Sequence, residues 1–433
     1  MNAWMLRLYS MLMWLGQPLL RRKLARRSLQ EPGYSEAAAE RFGRYSQPAE
    51  IAPELVWLHA VSLGETRTAA VLVKALRNQY PGLRILLTHG TATGRAEGAG
   101  LLRDGDVQVW QPWDSQGAVG RFFNHFKPRL GLLMETEVWP NIVATARARA
   151  MPLVLVNGRL SNKSLQQALG MAPLSYPAYG ALTAVYAQTE DDAGRYRQLG
   201  AHVAGVFGNL KFDATPDPDQ QALGKSWRLA SGRAVVMFAS SREGEEATFL
   251  AQVAALKHEP QTRALPRFLV VPRHPQRFDE VQALAESLGL TVSRRSTWPA
   301  GPAGHDDAIA ADIWLGDSLG EMALYYAMSD VALLGGSFEP LGGQNLIEAA
   351  ACACPVVMGP HTFNFTEAAD LAQAAGAARR VTDIPEALRT AVALLSRPNA
   401  HQAAVAASLS FAAANRGATV RTLQELAPFL QQK

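Results

Sequence analysis

Short, continuous apolar runs separated by helix-length stretches constrain the fold of this chain more than any other feature. A first series of runs lies at Leu55–His59, Leu83–Thr88, Leu130–Met134, Leu153–Asn157, Ala184–Gln188 and His202–Phe207. A second lies at Ala234–Ala239, Phe268–Val271, Leu290–Val292, Asp312–Leu315, Val331–Leu334 and Pro355–Met358. Strands that are apolar on both faces are typical of parallel sheets covered by helices. The pattern therefore predicts an α/β fold with two doubly wound, Rossmann-like domains facing a cleft.

The length of 433 residues agrees with two domains. We expect the boundary at the segment from Gly208 to Phe212, because the stretch that follows is rich in proline and polar residues. The predicted domains are therefore residues 31–208 and 209–433. Two cysteines, Cys352 and Cys354, stand too close in sequence to pair easily, and we interpret them as core residues in a reducing compartment.

Residues 1–30 combine an apolar segment with a basic cluster and are predicted to be a membrane anchor. The apolar segment, from Ala3 to Leu20, is interrupted by polar residues, and its uninterrupted part is shorter than the roughly 20 residues of a membrane span. The cluster comprises Arg21, Arg22, Lys23, Arg26 and Arg27. A helix in the protein core is the alternative. We favour a monotopic or marginally spanning anchor, with the basic cluster at the cytoplasmic face of the inner membrane.

Carboxylates follow two strands of the first series. In open parallel sheets, ligands bind outside the carboxyl ends of the strands. Glu65 stands three residues after Ser62, so it either completes a capping box or accepts a proton from an attacking hydroxyl. Glu135 and Glu137 either form a solvated acidic turn or lie close enough for repulsion to raise one pKa.

The second series carries candidates for binding an anion. Pro272 and Arg273 follow a strand, where the arginine either pairs with a phosphate or lies in a surface turn. A glycine-rich segment from Gly335 to Glu348 follows another strand, and a helix is predicted to start near Asn345. Backbone N–H groups in such a segment face an anion, and Glu348 would reach a ribose hydroxyl. The loop from Ser240 to Glu246 is a further possible phosphate contact of low specificity.

Several classes of protein are disfavoured by missing motifs. The chain has no P-loop, no G-x-S-x-G elbow, no G-x-G-x-x-G after the first strand and no spacing typical of zinc or iron ligands. An enzyme that uses neither a P-loop nor a nicotinamide cofactor agrees with these absences. A non-catalytic membrane scaffold with a decayed nucleotide fold is the alternative from a different class of function.

Four ordered motifs together resemble the 3-deoxy-D-manno-octulosonic acid (Kdo) transferases of lipopolysaccharide assembly. They are His59–Glu65, Glu135–Asn141, Val271–Pro275 and Gly335–Glu348. The resemblance covers nearly the whole chain and implies a GT-B glycosyltransferase that moves Kdo from CMP-Kdo to the lipid A precursor (lipid IVA) with inversion. It implies an acceptor-binding first domain and a donor-binding second domain. One departure is Ser241-Arg242, where the family often has Thr-His.

The resemblance also implies roles for individual residues. Glu65 would be the general base, and Glu135 would be needed for activity. The donor would be held by Pro272, Arg273, Gly336, Ser337, Asn345 and Glu348. We expect no metal and no cofactor, because one phosphate needs only an arginine and helix N-termini. The expected partners are CMP-Kdo, the lipid A precursor and the membrane surface, with no nucleic acid. A GT-B enzyme that uses a UDP-sugar, or a sugar-nucleotide epimerase, is the alternative.

Overall fold

The chain forms two compact units, described by a computed structural model over residues 3–258 and 265–431. The first unit runs to Asp213 and includes the chain again from Arg416, and the second spans Ala214–Asn415. Each unit is built on a parallel sheet of seven strands within these described ranges. The two predicted doubly wound sheets are therefore confirmed.

The sheet of the first unit has the strand order β3-β2-β1-β4-β5-β6-β7. Its strands are β1 Val56–His59, β2 Ile85–His89, β3 Val107–Trp110, β4 Leu130–Met134, β5 Leu153–Gly158, β6 Ala184–Ala187 and β7 Val203–Val206. Its helices are α1 Ala3–Leu15, α2 Gln17–Gln30, α3 Leu63–Gln79, α4 Ala92–Ala99, α5 Gln116–Phe126, α6 Pro140–Ala148, α7 Asn162–Gly170, α8 Ala172–Tyr179 and α9 Glu190–Gln198. The strand order reverses between β1 and β4, and ligands bind at such a switch point.

The sheet of the second unit has the order β10-β11-β9-β8-β12-β13-β14. Its strands are β8 Val235–Ser241, β9 Arg267–Pro272, β10 Val292–Arg294, β11 Ile313–Leu315, β12 Val331–Leu334, β13 Val356–Met358 and β14 Ala378–Arg380. Its helices are α10 Pro218–Ala230, α11 Glu245–His258, α12 Phe278–Ser287, α13 Asp306–Ala310, α14 Met322–Ala327, α15 Leu346–Ala351, α16 Thr366–Ala374, α17 Ile384–Leu395 and α18 Pro398–Ala414. Here the switch point lies between β8 and β12.

The end of the chain departs from the predicted domain 209–433. A last helix, α19 Ala418–Gln431, belongs to the first unit, because Leu426 and Leu430 are buried in the core around β1 and β4. The Asp213 carboxylate accepts hydrogen bonds from the N–H groups of Gly417 and Thr419, which joins the start of α19 to the predicted boundary. Amphipathic periodicity predicts a helix here but does not say which sheet the helix covers.

The N-terminal segment 1–30 contains two helices, separated at Gly16, and both pack on the first unit. Ser10 Oγ in α1 donates a hydrogen bond of 2.9 Å to Asn141 Oδ1 at the start of α6. The Arg21 guanidinium in α2 lies 4.1 Å from the centre of the Phe42 ring. No helix in the described ranges has both the length and the apolarity needed to cross a membrane. Cys352 and Cys354 are buried, unpaired core residues, as predicted.

Candidate functional site

The carboxyl ends of β1 and β4 bring three glutamates together at the switch point of the first sheet. Ser62 caps α3, and its hydroxyl donates to Glu65 Oε1 at 3.0 Å and accepts from the Glu65 N–H at 3.3 Å. Glu65 Oε2 accepts from the Val61 N–H at 2.9 Å. The carboxylate therefore completes a box-like cap, yet each of its oxygens keeps a second lone pair for another donor.

The protonation of Glu65 differs from that of an ordinary glutamate. Burial raises its pKa to about 7, and the hydrogen bond from Val61 opposes this rise. The negative charges of Glu135 and Glu137 add to the increase, which shows that the three carboxylates interact. A carboxyl that titrates near neutral pH is suited to act as a general base. The capping and proton-accepting interpretations of Glu65 are therefore compatible in this geometry.

Glu135 is fixed in an unusual backbone conformation by its neighbours. Its φ of 55° lies in the left-handed region, which is rare for a residue with a side chain. The Glu135 carbonyl accepts from the Tyr196 hydroxyl at 3.0 Å, and its N–H donates to Val156 O at 3.0 Å. Its Oε1 lies 3.3 Å from Lys211 Nζ. Lys211 lies in the predicted boundary segment from Gly208 to Phe212, and the sequence alone does not indicate this pairing.

Glu137 is held between an indole and a buried imidazole. Trp139 Nε1 donates to Glu137 Oε2 at 2.8 Å, and burial raises the Glu137 pKa. His59 Nε2 lies 4.0 Å from the same oxygen. Burial, with a smaller contribution from His89, lowers the His59 pKa to about 3, so this contact involves a neutral imidazole. The coupled-pair interpretation of Glu135 and Glu137 is favoured over a solvated acidic turn, because both are partly buried and interact with Glu65.

At the switch point of the second sheet, the glycine-rich loop already faces an anion, and that anion is the carboxylate of Glu245. Glu245 Oε2 accepts from the N–H of Gly336 at 2.8 Å and from that of Arg242 at 3.0 Å. Its Oε1 accepts from the N–H groups of Phe338 and Glu339. Gly336 has a φ of 69°, which a side chain would strain. These N–H groups stabilise the loop itself.

Two arginines at the ends of β8 and β9 supply positive charge beside this loop. The Arg242 Cγ lies 3.6 Å from the position that a Cβ on Gly336 would occupy. Burial lowers the pKa of His274, and the charges of Arg242 and Arg273 lower it further, so both arginines lie near His274. Arg273 is the residue after the buried Pro272, with which β9 ends. The Ser240–Glu246 loop thus contributes Arg242, although the sequence predicts a phosphate contact there only at low specificity.

The remaining predicted donor contacts occupy different environments. Asn345 caps α15 and accepts from the Ile347 N–H at 3.1 Å, as the predicted helix start requires. Glu348 lies in the first turn of α15 and is half-buried. Ser337 is fully buried, where its hydroxyl donates to Leu334 O and accepts from the Gly359 N–H at 2.8 Å. The Ser337 hydroxyl therefore supports the loop from inside.

No three His, Cys, Asp or Glu side chains in residues 3–258 and 265–431 are grouped so that they could hold a metal ion. The absence of a metal from the reaction stays a prediction.

Two solved structures share this fold at low sequence identity. The UDP-GlcNAc 2-epimerase of Neisseria meningitidis aligns with a TM-score of 0.56 at 14% identity, covering 86% of this chain and 100% of that chain. A glycosyltransferase of Rickettsia africae ESF-5 aligns with a TM-score of 0.54 at 12% identity, covering 88% and 100%. Such identities show the fold alone, which is that of the GT-B-like proteins with two parallel-sheet α/β domains.

Sequence relatives define the family within that class. The family model of 3-deoxy-D-manno-octulosonic-acid transferase matches residues 36–214. The enzyme of that name from Bordetella pertussis is 48% identical over 400 residues, covering 91% of this chain and 92% of the relative. The one from Haemophilus influenzae is 32% identical over 431 residues, covering 98% of each. The chain belongs to the Kdo transferase family and is a glycosyltransferase, so the non-catalytic scaffold alternative was wrong.

The environment of Glu65 predicts how transfer depends on pH. A general base must be ionised, so the predicted role of Glu65 as the base implies that kcat/KM rises with pH and levels off above about 7, the pKa of Glu65. Glu137→Gln removes a negative charge that raises this pKa, so the rising limb should move to lower pH. Asp104→Asn, at an exposed site of the same unit, is the matched control and should leave the limb in place. An unmoved limb in Glu137→Gln would contradict this electrostatic account.

The Glu245 carboxylate predicts a specific loss of stability. Glu245→Gln places an amide against backbone N–H groups and should lower the free energy of unfolding by about 1.5–3 kcal/mol. Glu243→Gln, at an exposed site of the same loop, should change it by less than about 0.5 kcal/mol. Urea unfolding followed by tryptophan fluorescence measures both. Equal stability of the two variants would show that Glu245 does not hold the loop.

Proposed function

We propose that the protein transfers Kdo from CMP-Kdo to a lipid A precursor, lipid IVA, with inversion at the anomeric carbon. The observation that carries this proposal is Glu65, a partly buried carboxyl with a pKa of about 7 at the switch point of the first sheet. Membership of the Kdo transferase family supports Kdo as the transferred sugar. No observation on either unit favours the UDP-sugar or epimerase alternatives, since likeness to the epimerase concerns the fold alone.

In the proposed mechanism the first unit activates the acceptor. Glu65 takes the proton of an acceptor hydroxyl, whose oxygen forms a bond to the anomeric carbon of Kdo. The bond between that carbon and the phosphate oxygen breaks, and CMP leaves with the electron pair. Burial, with a smaller contribution from the charges of Glu135 and Glu137, keeps the Glu65 pKa high enough for proton transfer near neutral pH. Lys211 pairs with Glu135 and fixes its side chain.

The second unit is assigned to the donor. CMP-Kdo carries two anionic groups, one phosphate and the carboxylate of Kdo. Arg242 and Arg273 supply two positive charges beside the glycine-rich loop, and arginine binds phosphate and carboxylate with paired hydrogen bonds. The lowered pKa of His274 leaves it neutral and able to accept or donate one hydrogen bond. Asn345 and Glu348 at the start of α15 are the proposed contacts for the nucleoside.

A product assay tests the proposed reaction. Purified protein, freshly made CMP-Kdo and lipid IVA should yield an acceptor with the added mass of Kdo, read by mass spectrometry. Glu65→Gln should lower kcat by about 10²–10⁴-fold, the usual contribution of a general base. CMP binding should be unchanged, because the proposed contacts of CMP lie in the other unit. No mass gain with intact CMP-Kdo would contradict the proposed donor and acceptor.

We also propose that α1 and α2 attach the protein to the cytoplasmic face of the inner membrane without spanning it. Large apolar side chains recur at helical spacing on the exposed side of α1, at Trp4, Leu8, Met11, Leu12 and Leu15. The basic cluster follows in α2, where its side chains are exposed. An exposed apolar face next to positive charges fits an anionic lipid surface.

Vesicle sedimentation tests the attachment. Replacing Leu12 and Leu15 together with glutamate should weaken binding to vesicles of phosphatidylglycerol and phosphatidylethanolamine by at least about tenfold, because burying one leucine contributes about 1.5 kcal/mol or more. Leu229→Glu, at an exposed leucine of the second unit, is the control. Binding of the double variant equal to that of the wild type would refute α1 as the attachment surface.

A further inference from the structure

Helix α1 has two different sides, and only one of them carries the exposed apolar residues of the proposed membrane attachment. The other side faces the first unit. It consists of partly buried residues that recur at helical spacing, namely Met5, Leu6, Tyr9, Ser10 and Met13. Helix α1 contacts α6 and α8. Two hydroxyl groups therefore lie in an otherwise apolar stripe at the inner side of the attachment helix.

The buried carboxylate of Asp114 caps α6 from the loop that follows β3. The residue before α6 is Trp139, whose side chain has no oxygen that could accept from the first turn. Asp114 takes this role, because its Oδ2 accepts from the Asn141 N–H at 3.0 Å and its Oδ1 from the Ile142 N–H at 2.9 Å. Asn141 Nδ2 donates in return to Asp114 O at 2.6 Å. These hydrogen bonds join the loop after β3 to the start of α6.

Helix α1 bonds to both partners of this cap. The Tyr9 hydroxyl donates to the Asp114 carboxylate, and Ser10 Oγ is hydrogen-bonded to Asn141 Oδ1 at 2.9 Å. Burial raises the pKa of Asp114 to about 6, and the hydrogen bonds from α6 and from Tyr9 oppose this rise. A buried carboxylate keeps its charge only where donors surround it, so the docking of α1 stabilises the ionised cap.

The capped turn leads directly back to Glu137. Trp139 stands two residues before Asn141, and its Nε1 donates to Glu137 Oε2 at 2.8 Å. Tyr179 belongs to α8, which α1 also contacts, and the negative charge of Glu137 contributes to the raised pKa of Tyr179. Helix α1 therefore braces two of the elements that surround the Glu137 carboxylate.

The charges around Glu137 come from several elements. The titratable groups that face it are Glu135 from its own loop, His59 from β1, Glu65 from α3 and Tyr179 from α8. The cations Lys23, Arg27 and Arg41 line the cavity that Glu137 borders. Tyr9 and Ser10 carry no charge near neutral pH, since burial raises the pKa of Tyr9 further above its ordinary value. A change at either residue can therefore act on the glutamates only through their positions.

We propose that Asp114, Tyr9 and Ser10 are positioning residues for the general base. They cap α6 and dock α1 on this cap, which fixes Trp139 and holds the Glu137 carboxylate close to Glu65. The helix that is proposed to attach the protein to the membrane is thereby also part of the scaffold of the base. This inference rests on the proposed function, because that function gives Glu65 the role of base.

The first experiment needs neither donor nor acceptor. Carbon-13 NMR follows the titration of the Glu65 carboxyl in the full chain. Tyr9→Phe combined with Ser10→Ala removes both hydroxyls of α1 and should lower the Glu65 pKa, because Glu137 moves away. The fall should not exceed that in Glu137→Gln, which removes the whole charge. The matched control makes the same two changes at Tyr176, which is 42% exposed, and at Ser28 in α2, where no residue is buried, and should leave the pKa in place.

A double-mutant cycle shows whether Asp114 acts through Glu137. Asp114→Asn weakens the cap and should lower the Glu65 pKa in the wild-type background. In the Glu137→Gln background the same change should lower it no further. An equal fall in both backgrounds would mean that Asp114 acts on Glu65 by its own charge, which would overturn the proposed route. Folding of each variant is checked by thermal unfolding.

Loss of thermal stability with an unchanged Glu65 pKa, in folded Asp114→Asn and in the double variant of α1, would assign these residues a structural role alone and overturn the proposal. The transfer assay then connects position to reaction. The rising limb of kcat/KM should move to lower pH in the double variant of α1 and stay in place in its control. A pKa that falls in the NMR titration without movement of this limb would contradict Glu65 as the base. Absence of transfer by the wild type would contradict the proposed function, whereas the NMR result would still decide whether α1 positions Glu137.

Discussion

The interaction of three carboxylates at the switch point of the first sheet is the constraint on which the rest of this account depends. Parallel strands β1 and β4 end side by side, so the residues that follow them meet whatever their separation in sequence. Glu65 is partly buried and faces the charges of Glu135 and Glu137, which keeps its pKa near neutrality. The left-handed backbone at Glu135 and the ion pair with Lys211 fix this arrangement. A scaffold that brings like charges together at a stability cost is typical of a catalytic site.

The second unit concentrates hydrogen-bond donors and positive charge, whereas the first concentrates carboxylates. Its glycine-rich loop concentrates backbone N–H groups, and the buried Glu245 satisfies several of them from within. Because Glu245 already accepts hydrogen bonds from these N–H groups, they are occupied within the protein. The positive charge beside the loop comes instead from the side chains of Arg242 and Arg273. In the proposed mechanism the base belongs to the first unit and the cations to the second, so each can be tested by itself.

Much of this architecture could be predicted from the sequence. Every predicted strand overlaps an observed one, because buried parallel strands are continuous apolar runs. Strands β3 and β14 were missed, since Val107–Trp110 and Ala378–Arg380 are short and carry polar residues at the edges of their sheets. The convergence of Glu65 with Glu135 follows from strand ends alone. The pairing of Lys211 with Glu135 does not, because Lys211 lies in a short 3-10 helix whose contacts are set by tertiary packing. The same reason explains why α19 could not be assigned to the first unit.

The most direct test of the central claim is the pKa of Glu65 itself. Carbon-13 labelling of glutamate, with Glu65→Gln used to assign the signal, gives the titration of this carboxyl by NMR. We expect a pKa of about 7 in the wild type and a lower value in Glu137→Gln. A value near 4.5, the ordinary pKa of a glutamate, would contradict the claim that burial and the neighbouring carboxylates prepare Glu65 to act as a base.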